Sequence, residues 1–130
     1  MTRLELSTPI TSLNQLKGRH WSKRHAAKRQ WAEDLLQAGA RCIPPRERPR
    51  VKQRVVITRL MAPRQREYDF ENLTAGNAKA LVDTLTAMNY WMDDNPRYLD
   101  REYLQRKQTP YERENGIHTI VVIEPLGPLP

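Results

Sequence analysis

Carboxylates gather at two places in this chain, Asp69-Phe70-Glu71-Asn72-Leu73 and, about twenty residues later, Trp91-Met92-Asp93-Asp94. The protein around them is basic, with 22 Lys/Arg against 15 Asp/Glu and a net charge of +7. Clustered acids repel one another unless a cation sits among them. Hard divalent ions such as Mg²⁺ take oxygen ligands and keep several waters, so three or four carboxylates on facing elements suit them. A basic surface around such a site points to a phosphodiester backbone as substrate. The chemistry in view is hydrolysis: an ion held by Asp69, Glu71 and Asp94, with Asp93 beside it, would orient water for in-line attack on phosphorus. Lys79, the only lysine between residues 53 and 106, is the candidate to stabilise the oxyanion or the leaving group. Each feature also has a plainer reading. Asp69 or Asn72 can cap a helix, Asp93-Asp94 can be a polar turn, and Lys79 with Asp83 can be an exposed pair one helical turn apart.

The elements that must position these groups follow from periodicity. Residues 3–10 alternate apolar and polar up to Pro9, which suits a short strand. After a polar loop over 11–21, Ser22 is an expected N-cap. From it a helix runs to about Ala38, with Ala27, Trp31, Leu35 and Ala38 as its apolar stripe and Gly39 as its stop. Pro44, Pro45 and Pro49 make 41–50 an extended linker. Val55-Val56-Ile57 and Leu60-Met61 mark 51–61 as a central strand. A second helix is expected from Glu71 or Asn72 to about Met88, with Leu73, Asn77, Leu81, Leu85 and Met88 on one face. Asn89 can take the left-handed conformation that ends it. Tyr98–Lys107 and Ile117–Ile123 read as strands, with Asn115-Gly116 as a turn. Residues 125–130, rich in proline, read as an extended C-terminal tail on a single domain of residues 1–124. The order β-α-β-α-β-β predicts a small α+β domain, a sheet with two helices on one face.

These elements pose a distance problem. If the backbone is still extended at Asp69 and Glu71, their side chains leave one face together. A second helix of sixteen residues would be about 24 Å long, however, and would hold the two acidic clusters apart. Either the turn after it folds back, the helix is shorter, or the clusters meet across a dimer.

Charge is divided along the chain. Residues 1–66 hold sixteen Lys/Arg and four Asp/Glu, and residues 67–130 hold six and eleven, giving +12 and −5. The run 17–29 contains six Lys/Arg, two His and no acid. Lys17, Arg19, His20, Trp21, Lys23 and Arg24 are therefore candidate DNA contacts, favourable with phosphate and indifferent to base sequence. Trp21 either stacks on a base or covers the core. Arg64 and Arg66, immediately before the acidic box, could hold a strand across the metal. One cysteine, Cys42, rules out an intramolecular disulfide and a Cys-rich zinc site. No apolar run approaches the eighteen residues of a membrane span, nor is there a signal-peptide core at the N-terminus, so a cytoplasmic protein is expected. No Gly-rich phosphate loop or Ser-His-Asp set is present, and no small organic cofactor is expected.

Taken in order, Asp69-x-Glu71-Asn72-Leu73, Lys79-x-x-x-Asp83-x-Leu85 and Trp91-x-Asp93-Asp94 resemble the RusA family of Holliday-junction endonucleases, widespread in bacteriophages and prophages. The resemblance spans residues 3–124, with Asn14 and the basic helix carrying Trp31 also similar. It implies a homodimer that binds four-way DNA junctions and cuts symmetrically placed strands with Mg²⁺ or Mn²⁺, in the host-cell cytoplasm if phage-encoded. By position, Asp69, Glu71 and Asp94 match the family's catalytic carboxylates, Lys79 its catalytic lysine, Asp93 the first acid of its Asp-Asp pair and Asp83 its helix acid. Metal sites beside the dimer interface, as in the family, would ease the distance problem. Three departures stand out: Glu71 replaces an Asp, Thr74-Ala75-Gly76-Asn77 lengthens the box-to-lysine spacing by about one turn, and Asn89 replaces a Gly. A chain that keeps the fold and binds nucleic acid without cutting it is the alternative, with an RNA-directed metal nuclease as a third reading.

Overall fold

The structure, a computed structural model, describes residues 1–12 and 21–129, with side chains in the second stretch from residue 25 onward. Four strands, β1 (Thr2–Leu6), β2 (Val51–Met61), β3 (Leu99–Lys107) and β4 (Thr119–Pro128), form one mixed sheet in the order β1-β4-β2-β3. The pair β2 and β3 is parallel, and β4 runs antiparallel to both β1 and β2. Strands β1 and β2 thus point the same way with β4 inserted between them. Each parallel step requires a crossover. The first carries α1 (Trp21–Gln37) and the second carries α2 (Phe70–Ala75) and α3 (Asn77–Ala87).

The two long helices cover one face of the sheet, as expected. Trp31 and Leu35 of α1 and Leu81, Val82 and Leu85 of α3 share one core with Leu4, Leu6, Val55, Ile57, Val121 and Ile123. The stripe expected on the second helix is buried throughout, Asn77 included. Asn77 is there to bind backbone. Its Oδ1 accepts from Thr11 N–H at 2.7 Å, its Nδ2 donates to the Pro9 carbonyl at 2.9 Å, and its own carbonyl accepts from Trp31 Nε1 at 2.9 Å. The segment after β1 is also tied to α1, where buried Asp34 accepts from Thr8 N–H at 2.7 Å and from Ser7 Oγ at 3.2 Å.

Several boundaries differ from the sequence reading. Strand β1 ends at Leu6, short of Ile10. The linker over 41–50 contains a 3-10 turn at Pro45–Glu47. Helix α1 ends at Gln37 and Gly39 takes φ +96°, as a helix stop requires. Asn89 has φ +70°, and a glycine there would lose two contacts: Nδ2 donates to the Ile43 carbonyl and Oδ1 accepts from Arg48, both at 2.7 Å. Strand β4 starts at Thr119 and continues to Pro128, so the expected domain limit at 124 falls inside it. The main correction concerns the second helix. It is not one rod from 71 to 88 but two helices separated at Gly76, whose ψ of −141° leaves the helical range.

A short helix, α4 (Pro110–Glu114), precedes β4. Ile117 after it packs on Leu60 and Ile120, residues of opposite parity to the main core, so this piece lies on the other face of the sheet. Its anchor is Glu112. Arg106 donates to both carboxylate oxygens at 2.7 Å, and Thr109 and Glu112 form a reciprocal capping box. Hydrogen bonds from Arg106, opposed by burial and aided by Thr109 N–H, lower the Glu112 pKa from 4.5 to about 2. A carboxylate depressed in this way contributes stability that is complete above its unfolded value and is lost as pH falls from about 4.5 towards 2. Glu112→Gln is expected to cost about 1.5–3 kcal/mol at neutral pH, the usual worth of hydrogen bonds to a charged group. Melting temperatures from pH 7 to pH 2.5 check this: the variant should melt lower at pH 7 and converge on the parent in acid. A constant gap across that range would mean that the pair is not the source of the acid sensitivity.

Candidate metal and nucleic-acid site

Asp69 is the N-cap of α2. Its carboxylate accepts from Asn72 N–H at 2.8 Å and from Asn72 Nδ2 at 3.1 Å. Glu71 is exposed in the first turn of the same helix. The expectation that both residues sit on extended backbone therefore holds for Asp69 and fails for Glu71, because the helix already begins at Phe70. Lys79 is exposed on α3, and its side chain makes no hydrogen bond or ion pair among the described residues. Asp83, one turn on, pairs with Lys28 of α1 at 3.8 Å rather than with Lys79.

The second acidic cluster is a turn anchored by its own side chains. Asp93 accepts from Asp94 N–H at 2.8 Å and from Asn95 Nδ2 at 2.9 Å. The Asp94 carbonyl accepts from the Arg101 guanidinium at 2.7 Å, and its carboxylate lies 3.7 Å from the same group. Preceding the turn, Trp91 and Tyr90 are both buried. Trp91 Nε1 donates to Thr86 Oγ1 at 2.7 Å, and the Tyr90 hydroxyl donates to the Arg41 carbonyl at 3.0 Å. The turn is thereby fixed against the end of α3.

Both clusters are mounted on β3. Residues 101, 103, 105 and 107 leave one face of that strand. Arg101 holds Asp94, and the Tyr103 ring meets Phe70 edge-on at 6.3 Å. The Gln105 amide clasps Tyr68, accepting from its N–H and donating to its carbonyl, both at 2.9 Å. Lys107 Nζ donates to the carbonyls of Ala62, Pro63 and Gln65. From Arg101 to Gln105 is only about 13 Å along a strand, roughly half the span of the uninterrupted helix. The break at Gly76 and the fold-back of 62–70 onto β3 thus bring the two acidic segments to one strand edge.

Arg59, on β2, completes the support from beneath. It is 3% exposed and donates to Gln105 Oε1 at 2.9 Å and to the Arg66 carbonyl at 3.0 Å. Its guanidinium stacks 3.5 Å from the centroid of the Tyr68 ring. A buried cation held by carbonyl oxygens and a π face, with no carboxylate against it among the described residues, fixes the loop without consuming any of the acids. Arg64 and Arg66 project from this loop, exposed and with unpaired side chains among the described residues. Burial raises the Tyr103 phenol above its ordinary pKa, with Arg101 opposing and Asp83 adding to the rise, so it remains a protonated donor at neutral pH.

Among the described residues, no three His, Cys, Asp or Glu side chains form a group that could hold a metal ion. Asp69, Glu71 and Asp94 share a strand edge and do not form such a group among the described residues. The donor chemistry nevertheless suits a hard cation. All four acids offer oxygen, and Asp69 and Asp93 are oriented by N–H donors in the way metal-ligating carboxylates commonly are. Lys17, Arg19 and His20 lie outside the described residues. Trp21, Lys23 and Arg24 lie on the first turn of α1, where only the backbone is described. Sequence reasoning missed Arg59, Arg101, Tyr103, Gln105 and Lys107. The last four are alternate residues of an expected strand, a pattern that marks one face of β3 as polar and aromatic where a core strand would be aliphatic. Among the described residues, no helix is long and apolar enough to cross a membrane. No protein-family model matches the chain, and no curated protein matches it.

Proposed function

We propose that this chain is a RusA-type, Mg²⁺-dependent, structure-selective DNA endonuclease that acts in the cytoplasm as a homodimer on four-way junctions. The observation that carries the reading is the mounting of Asp69-Phe70-Glu71 and Asp93-Asp94 on consecutive same-face residues of one edge strand. Asp69, Glu71 and Asp94 would hold the ion, with Asp93 shaping the turn. When bound, Mg²⁺ (or Mn²⁺) would supply an activated water and offset charge developing on phosphorus. Lys79, exposed and without an ion pair among the described residues, would meet the leaving oxygen. Arg64 and Arg66 would grip the flanking phosphates, and the basic run from Lys17 to Arg29 would extend the grip along the DNA. Because three carboxylates do not form one group among the described residues, a second protomer would have to complete the site, and this would be the role of the homodimer.

The test is incubation with labelled four-way junctions and linear duplexes, with Mg²⁺ or with chelator. Paired symmetric nicks that require metal support the endonuclease. Tight junction binding without nicks supports the alternative, a non-catalytic nucleic-acid-binding protein, for which Glu71 in place of Asp is the motive. Neutralising Lys23 and Arg24 together is expected to weaken binding on all DNA and to lower the slope of log affinity against log salt by about two, one per lost phosphate contact. Titrations at several salt concentrations check this, and an unchanged slope would remove that segment from the DNA surface.

A further inference from the structure

Phe70 lies between Asp69 and Glu71 and is 73% exposed, more than any other described large apolar side chain except Met1. Solitary exposed hydrophobes are common and need no ligand. Phe70 differs in having a defined support. The Asp69 cap fixes the turn it stands on, and its ring meets Tyr103 at 6.3 Å with an interplanar angle of 89°. Tyr103 in turn packs against the main core. The result is an exposed aromatic ring braced by Tyr103, between two carboxylates in the sequence and a few residues after two exposed arginines, Arg64 and Arg66.

We infer that Phe70 is the residue that selects branched DNA, by stacking on a nucleobase left unstacked at the branch next to the scissile phosphate. The inference rests on the endonuclease reading and adds the feature of the substrate that is recognised. Base–aromatic stacking tolerates any sequence, because every base has a π face. Apolar wedges at base steps likewise stabilise distorted DNA. An intact duplex offers no free base face to this ring, whereas a four-way junction does. The arginines would hold the backbone of either substrate, so affinity would come from charge and selectivity from Phe70.

Binding to a four-way junction and to a linear duplex of the same sequence, measured with chelator present so that nothing is cut, tests this. Phe70→Ala is expected to weaken junction binding by roughly 5- to 150-fold, the range of one base–aromatic stack. Duplex affinity and its salt slope should stay as in the parent, and Phe70→Trp should retain junction affinity. Melting temperature and gel-filtration volume accompany each variant. An unchanged junction affinity in Phe70→Ala, or an equal loss on junction and duplex, overturns the inference. So does conversion of a dimer to monomers, which would mean that the ring is covered by a second copy of the chain. If the parent protein cuts junctions while Phe70→Ala is indifferent, only the role of Phe70 fails. If the parent neither prefers nor cuts junctions, the endonuclease reading fails and this inference with it.

Discussion

Asp94→Asn is expected to reduce junction cleavage by at least about 100-fold, since even groups that merely orient a metal ligand are worth 10- to 100-fold. The carbonyl of residue 94, which receives Arg101 at 2.7 Å, is untouched by the substitution, so the turn should keep its shape. The carboxylate pair with Arg101 is long, at 3.7 Å, and both side chains are at least one-third exposed, so its loss should barely affect stability. Junction affinity should therefore persist, or rise as a negative charge beside DNA disappears. Single-turnover cleavage and gel-shift titration on one preparation separate these effects. Loss of binding together with cutting would make Asp94 a structural residue and remove the main support for a metal there.

Gln105→Leu should lower cleavage by about 10- to 100-fold without touching any carboxylate, as loss of a supporting contact does. Gln105 is half-buried, and its amide satisfies both backbone groups of Tyr68, the residue immediately before Asp69, while also receiving Arg59. Leucine leaves those groups without partners and loosens the loop at Tyr68, while Lys107 still holds the carbonyls of Ala62, Pro63 and Gln65. Gln105→Glu keeps the acceptor for Tyr68 N–H and Arg59 but loses the donor, so it should fall between the two. A purely structural effect would scale with the drop in melting temperature. A positioning effect should appear instead as a raised Mg²⁺ requirement at 20 °C, where all three proteins are folded. Identical metal dependence in the three would show that the clasp does not hold the acidic box in place.

Where pattern and burial coincide, the fold was legible. Strand β2 occupies the expected residues 51–61 and α1 ends within a residue of its expected limit, because each carries a strong periodicity bounded by Gly or Pro. The break at Gly76 was hidden because Leu73, Asn77 and Leu81 stay in phase across it and all remain buried. By sequence, strand β4 stops before Pro125, because proline weakens a central strand. Beyond Ile123, however, β1 has ended and β4 pairs with β2 alone, so one side of its backbone needs no partner. The acidic residues could be named from their type and spacing. Their shared mounting could not, because it depends on β3 contacts such as Gln105 with Tyr68, which are 37 residues apart and leave no local pattern.

The parallel pairing of β2 with β3 has a further consequence, in the order of events during folding. Its paired residues lie 46 apart, as Gln53 with Leu99, against 60 for Arg59 with Thr119, so it closes a shorter loop than the pairing of β2 with β4. Until the 93–94 turn and the stretch after β2 have both met β3, neither has all of its anchors. Fraying of the same margin would release them together. Competence for chemistry should then be gained and lost in a single step, tied to whether one border of the sheet is zipped.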